Sequence, residues 1–194
     1  YNSSLMKKIN LKNILFIIVI ALLLIPQTRT PIQVAFNKIK VKLFSPSAFA
    51  KADQTQLQPF TYQLASIDGL SRDAEVGQGK VTFISYWATW CPPCIAELPS
   101  IEKLYADYGN KIDFVLITQE EPTVVKRFLE RKKLNIPAVF PKMQTPELLF
   151  ERSIPTNYII DKTGKIIIKE KGAANWNSAE VRETLDRLIS ETTL

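Results

Sequence analysis

Twelve consecutive apolar residues, Ile14 to Ile25, are the longest hydrophobic run in the chain. Counting back across Lys12 to Ile9 lengthens the stretch to seventeen. The short count suits a signal-peptide core. The long one approaches the minimum for a spanning helix, provided Lys12 snorkels to the interface. No small-x-small cleavage pattern follows Ile25 closely, and the best match, Ala48-Phe49-Ala50, lies more than twenty residues downstream. An uncleaved N-terminal anchor within residues 1–30 is therefore the favoured reading, with cleaved secretion and a buried core helix as alternatives. Met6, followed by Lys7-Lys8, is a candidate start of translation, and residues 1–5 are given no function. In residues 31–56, lysine mixes with apolar side chains, and Ile39, Val41 and Leu43 alternate with Lys38, Lys40 and Lys42. That alternation allows a strand or an interfacial segment, but a flexible linker is the simpler expectation.

From Leu57 the pattern becomes that of a folded α/β domain reaching the C-terminus, residues 57–194. Phe60 to Ala65 alternates like a strand, Asp68-Gly69 is a turn signal, and Ser71 to Gly79 reads as polar loop. Val81 to Trp87 is a buried strand. A helical period follows from Pro92 to Tyr108, its apolar face carrying Ile95, Leu98, Ile101, Leu104 and Tyr105, with a kink expected at Pro99. Ile112 to Thr118 predicts a second buried strand, and Glu121-Pro122 opens a helix reaching about Lys133. Ala138 to Phe140 predicts a short strand, and Pro146 to Arg152 a helical turn or two. Asn157 to Asp161 and Lys165 to Lys169 form a hairpin about Lys162-Thr163-Gly164. A last helix is expected from Ser178 to Ser190, with Asn177 as a possible cap and Glu180 three residues beyond it. These elements predict a central mixed β-sheet with helices on both faces.

Charge sharpens the division. The chain carries 25 basic and 19 acidic side chains, but residues 1–50 hold seven basic and no acidic ones. Residues 51–194 therefore carry a net −1. The high pI belongs to the N-terminal segment, so a nucleic-acid partner is not expected, while a basic stretch beside an apolar run points to a membrane surface. Two cysteines and no histidine exclude a Cys/His zinc site and a histidine base. Ile95 after Cys94 excludes c-type haem attachment. No metal is expected, and no cofactor beyond the redox-active disulfide that Cys91 and Cys94 can form.

Those two cysteines stand two residues apart in Trp87-Ala88-Thr89-Trp90-Cys91-Pro92-Pro93-Cys94, where the buried strand turns into a helix. A helix N-terminus presents unpaired N–H groups and a positive dipole end, which favour thiolate over thiol. Cys91 can attack a disulfide, and Cys94 can resolve the mixed disulfide. A static bridge across so short a loop would restrain little of the unfolded chain, so redox chemistry is the stronger reading. Pro92 and Pro93 remove two donors from the turn and should tune its reduction potential. Glu97 is favoured near a helix start by the dipole alone, and catalysis is its alternative. Trp87 and Trp90 are core or rim aromatics, Trp90 being the better candidate for shaping a docking surface. Thr89 stands two residues before Cys91, not three as in the peroxiredoxin pattern, which argues against a peroxidase.

With Glu97-Leu98-Pro99 after the dithiol, Ile154-Pro155-Thr156 before the hairpin, and Ile160-Asp161-Lys162-Thr163-Gly164-Lys165 within it, residues 57–191 resemble a thioredoxin-fold protein. The resemblance is to the membrane-anchored TlpA/ResA-like bacterial thiol-disulfide oxidoreductases, with residues 121–150 matching that branch's insertion. It implies that Cys91 attacks and buried Cys94 resolves. It also implies that Pro155 is a cis-proline facing the dithiol, that Ile154 offers backbone groups to a substrate strand, and that Glu97 moves protons at Cys94. Minimal thioredoxins place a buried aspartate six residues before the first cysteine; here that position is Ser85. The implied activity is reduction of protein disulfides on the periplasmic or outer side of a bacterial membrane, with c-type cytochrome maturation as the process the resemblance suggests. Electrons would come from a transmembrane thiol carrier, and the protein would act as a monomer. A different class of function, a non-catalytic module that holds a client on the Ile154 and Trp90 surface, remains as the alternative.

Overall fold

A computed structural model describes residues 10–191. Met6 and Ile9, used above in reading the N-terminal segment, lie outside these residues. The helices are α1 (Leu11–Leu24), α2 (Pro26–Leu43), α3 (Pro92–Tyr108), α4 (Pro122–Lys132) and α5 (Ala179–Ser190). The strands are β1 (Phe60–Tyr62), β2 (Leu64–Ser66), β3 (Ala74–Val76), β4 (Thr82–Tyr86), β5 (Asp113–Ile117), β6 (Ala138–Pro141), β7 (Thr156–Ile160) and β8 (Ile166–Lys171).

Six strands form one mixed sheet in the order β2-β6-β5-β4-β7-β8. β4 pairs in parallel with β5, and β5 with β6, while β7 runs antiparallel to β4 and β8 antiparallel to β7. β1 and β3 make a separate two-stranded sheet. The stretch 60–65, read as one strand, is thus divided between two sheets, and β3 lies inside the segment expected to be loop.

The chain steps β4, α3, β5, α4, β6 in one direction across the sheet. Right-handed crossovers place both helices on the same face. Phe83, Phe114, Leu116 and Ile159 of that face pack with Leu98, Ile101 and Leu104 of α3, Phe128 of α4, and Val181 and Leu185 of α5. The opposite face presents Ile84, Val115, Ile117, Tyr158 and Ile160. It is covered by Tyr62 and Val76 of the small sheet and by Leu149 from the 3-10 turn Glu147–Leu149. Both faces are covered, but the expectation of helices on both is corrected: the three helices of the domain lie on one.

The N-terminal region also departs from expectation. Residues 26–43 are helical, not a linker or a strand, and α2 packs on α3 through Val41, Ala96 and Ala173. The link onward is tied as well, with the Asn175 N–H donating to the Phe44 carbonyl and the Phe49 N–H to that of Ile167. α1 is apolar, yet Leu11, Leu15, Phe16 and Ile17 are exposed, so the buried-core-helix alternative is not observed. No helix among the described residues is long and apolar enough to cross a membrane.

α3 continues through Pro99, and α4 begins with Pro122 at its first turn as the sequence predicts. α5 starts one residue later than the Asn177 cap implies. Ser178 is the cap, its Oγ accepting from the Val181 N–H, while Asn177 Oδ1 accepts from Arg182. Ser178→Ala should lower stability by about 1 kcal/mol in urea denaturation. A larger loss for Asn177→Ala would place the cap elsewhere.

Candidate functional site

β4 delivers the chain to the dithiol. After Tyr86 the Trp87 N–H still donates to the Ile117 carbonyl, and the loop then turns at Ala88 to Trp90 into α3. Glu120, just beyond β5, fixes that turn. Its carboxylate accepts from the Thr89 N–H and the Thr89 hydroxyl, both at 2.6 Å. The Thr118 hydroxyl supports the same carboxylate at 3.3 Å. The sequence reading assigned nothing to Glu120.

Cys91 is the N-cap of α3, in extended backbone conformation, with Pro92 and Pro93 opening the helix. These prolines lack only donors that a first turn leaves unpaired anyway. The donor that remains aimed at the cap is the Cys94 N–H, 3.3 Å from Cys91 Sγ. Cys91 and Cys94 form a disulfide, with their Cα atoms 5.3 Å apart. Cys91 is 3% exposed and Cys94 fully buried, so an incoming sulfur has access only at Cys91. On reduction, the Cys94 N–H and the helix N-terminus would both favour a Cys91 thiolate.

Glu97 lies one turn beyond Cys94, on the same side of α3 at i+3 spacing. Its side chain is fully buried. One carboxyl oxygen accepts from Asn157 Nδ2 of β7 at 2.9 Å. The other accepts from the Ala174 N–H and from Trp176 Nε1, both at 3.2 Å. Burial pushes the Glu97 pKa up to about 8, although these three donors pull in the opposite direction. The acid is therefore protonated over most of the physiological range.

Asn157 Oδ1 and Ser85 Oγ are buried polar atoms without a hydrogen-bond partner. They belong to directly paired residues of β4 and β7. Turning the Asn157 amide would let its oxygen accept from a protonated Glu97 and direct its NH2 toward Ser85, which satisfies both groups. Asn157, Trp176 and the Ala174 backbone were not singled out in the sequence. The signal available for Asn157 was a lone amide in an otherwise apolar strand.

The Ile154–Pro155 peptide is cis. Because Tyr86 pairs with Thr156, this bond sits at the same end of the sheet as the Trp87–Cys91 turn. Ile154 and Trp90 line one cavity of about 410 Å³ together with Tyr86, Glu120, Phe150 and Arg152. Trp90 is 68% exposed beside the buried Cys91, a rim position. Glu151, on the cavity wall, is pinned by Lys169 at 2.6 Å and Lys171 at 2.8 Å, which hold its carboxyl below the usual range. The structure thus gathers Cys91, Pro92, Pro93, Cys94 and Glu97 on the first two turns of α3. Trp90, Ile154 and Pro155 lie at the adjoining sheet end.

A disulfide at the start of a helix, reached from a central strand and flanked by a cis-proline, defines a thioredoxin-fold redox protein. The profile of the redoxin family matches residues 52–188. The thiol-disulfide oxidoreductase ResA of Halalkalibacterium halodurans is 31% identical over 127 residues, covering 64% of this chain and 70% of that protein. The thioredoxin-like protein YneN of Bacillus subtilis is 27% identical over 129 residues, covering 64% and 75%. StoA from Bacillus subtilis shares the fold at a TM-score of 0.52, with 22% identity over 69% of this chain and 98% of its own. The chain belongs to the redoxin family, among its ResA-like thiol-disulfide oxidoreductases.

The buried acid gives stability a definite pH dependence. Folded Glu97 keeps its proton up to about pH 8, whereas its ordinary pKa is 4.5. Between these values the unfolded chain binds fewer protons, so stability should fall as pH rises from 4.5 to 8 and lose that slope above. Glu97→Gln can keep all three contacts with the Asn157 amide turned, and it removes the titration. Urea melts of the oxidised protein across this window should show the slope in wild type and a flatter profile in the variant. Equal slopes would mean that Glu97 is charged when folded.

Proposed function

We propose that the protein reduces disulfides of client proteins on the extracytoplasmic side of a bacterial membrane, by dithiol exchange through Cys91 and Cys94. The observation that carries this reading is the nearly inaccessible Cys91–Cys94 bridge at the start of α3 with a buried, proton-holding carboxyl one turn on. In the reduced protein, the Cys91 thiolate attacks one sulfur of a client disulfide. The client bond breaks, a mixed disulfide forms, and the first client sulfur leaves and takes up a proton. The ionised fraction of Glu97, whose pKa of about 8 is close to that of a thiol, takes the proton of Cys94, and the Cys94 thiolate attacks Cys91 Sγ. The second client thiol is released, leaving the protein as the disulfide with Glu97 protonated.

Two electrons have passed to the client without any dissociable cofactor. A transmembrane thiol carrier returns them. Its thiolate attacks Cys91 Sγ, the less buried of the two sulfurs, and Cys94 leaves with the proton of Glu97. The carrier's second thiolate then attacks the carrier sulfur of this mixed disulfide, so that the carrier becomes a disulfide and the Cys91 thiolate is released. Ile154, before the cis-proline, offers backbone groups to an extended client segment, and Trp90 with Pro92 and Pro93 shapes the surface on which it lies. Disulfides of c-type apocytochromes are the client class favoured by the family resemblance. Attachment to the membrane through the apolar α1 and operation as a monomer complete the reading.

Trapping tests it. A Cys94→Ser variant of the full chain, expressed in a bacterium, should accumulate mixed disulfides with other proteins on non-reducing gels. The Cys91→Ser, Cys94→Ser double variant should not. No adducts with the single variant would overturn the proposal in favour of a non-catalytic client-binding module.

A further inference from the structure

α2 has two opposite faces. At about 100° per residue, Val34, Asn37 and Val41 share the side that meets α3. Val41 closes the contact with Ala96 and Ala173, and the first half of α2 runs past Ile95, the residue after Cys94. On the reverse side Ile32, Phe36, Ile39 and Leu43 fall in one stripe and are 43%, 71%, 60% and 73% exposed. Basic side chains border the stripe along both edges, Arg29 and Lys40 on one and Lys42 on the other, with Lys38 further round, in the groove that Ile95 and Lys132 also line. Lys40 is partly engaged, lying 5.8 Å from the Phe44 ring and within electrostatic reach of Glu170. No acidic residue occurs between positions 10 and 52. At its start, α2 is joined through Ile25 to the exposed apolar α1.

We propose that the outer face of α2 lies in the headgroup region of an anionic bilayer, with the Ile32, Phe36, Ile39 and Leu43 stripe immersed and the flanking basic side chains paired to lipid phosphates. A narrow apolar stripe with lysine and arginine on both edges is the pattern of a helix lying in the interface. Such helices sink about 5–10 Å into the headgroup and acyl boundary. Long basic side chains there keep their stems on the apolar surface and their charges at the phosphates.

The spacing of the stripe would also suit a helix pair between two copies. In such a pair the flanking positions favour opposite charges, and here they would bring only lysine and arginine together. Charge therefore selects the lipid surface. This inference rests on the membrane reading proposed above and adds an orientation to it. With α2 in the interface, α3 lies one helix diameter, about 10 Å, above it. The Cys91 end of α3 then sits close to the bilayer, within reach of a thiol carrier embedded there.

The full chain would be reconstituted with vesicles of phosphatidylcholine and phosphatidylglycerol whose acyl chains are brominated. Phe36→Trp and Ile39→Trp are read against wild type to remove the emission of the native tryptophans. Lys165→Trp, at the exposed β7–β8 turn, is the control. Bromine should quench the tryptophans added at positions 36 and 39 but not the one at 165. Reversing the flanks with Arg29→Glu and Lys42→Glu should lessen the quenching. Flotation with the vesicles but no quenching at 36 and 39 would overturn the docking of α2 while leaving membrane attachment standing. Failure to float would overturn both. A blue-shifted but unquenched tryptophan in a chain that cross-links to itself would assign the stripe to a second copy, and the inference would fall.

Discussion

A carboxyl group with no access to water holds the first turns of α3 to the rest of the domain. Glu97 joins this helix to β7 through Asn157 and to the segment before α5 through Ala174 and Trp176. An ionised carboxylate in this position costs several kcal/mol of desolvation. Three donors work against that cost, but desolvation is the larger effect. The neutral acid therefore prevails up to about pH 8. The group that ties the helix is thus also a neutral acid, one helical turn from Cys94.

The surroundings of the dithiol follow from the same geometry. β4 is paired with β5 on one side and β7 on the other, so its C-terminal end brings together Glu120, the cis Ile154–Pro155 bond and the start of α3. Glu120 fixes the turn before Cys91, and Glu97 fixes the helix after it. Between them Cys91 keeps a small opening and Cys94 none. α2 covers another side of α3 through Val41 and Ala96.

The dithiol turn was legible because three local signals coincide: a buried strand, the cysteine spacing and a helical period from Pro92. The C-terminal hairpin and α4 were legible for similar local reasons. What the pattern missed depends on partners distant in sequence. Helix placement on one sheet face follows from strand order, which hydrophobic periodicity does not encode. β3 is three residues long, and only Ala74 and Val76 mark its buried side. In α2 the lysine alternation over residues 38–43 imitates a strand, whereas the 3.6-residue stripe from Ile32 to Leu43 emerges only over a longer window. Glu97 was noticed for its place after the cysteines, but its burial depends on Asn157 and Trp176, 60 and 79 residues away. Ser85, at the position of the aspartate of minimal thioredoxins, leaves Glu97 as the buried acid nearest in sequence to Cys94.

Reduction of client disulfides requires that electrons leave Cys91 and Cys94 readily. The most direct measurement is the reduction potential of this pair in the intact protein, by equilibration with glutathione or dithiothreitol at neutral pH. A value near that of thioredoxin, about −270 mV, is expected for a reductase. A value near the strongly oxidising end, about −120 mV, would contradict it and reverse the direction of electron flow.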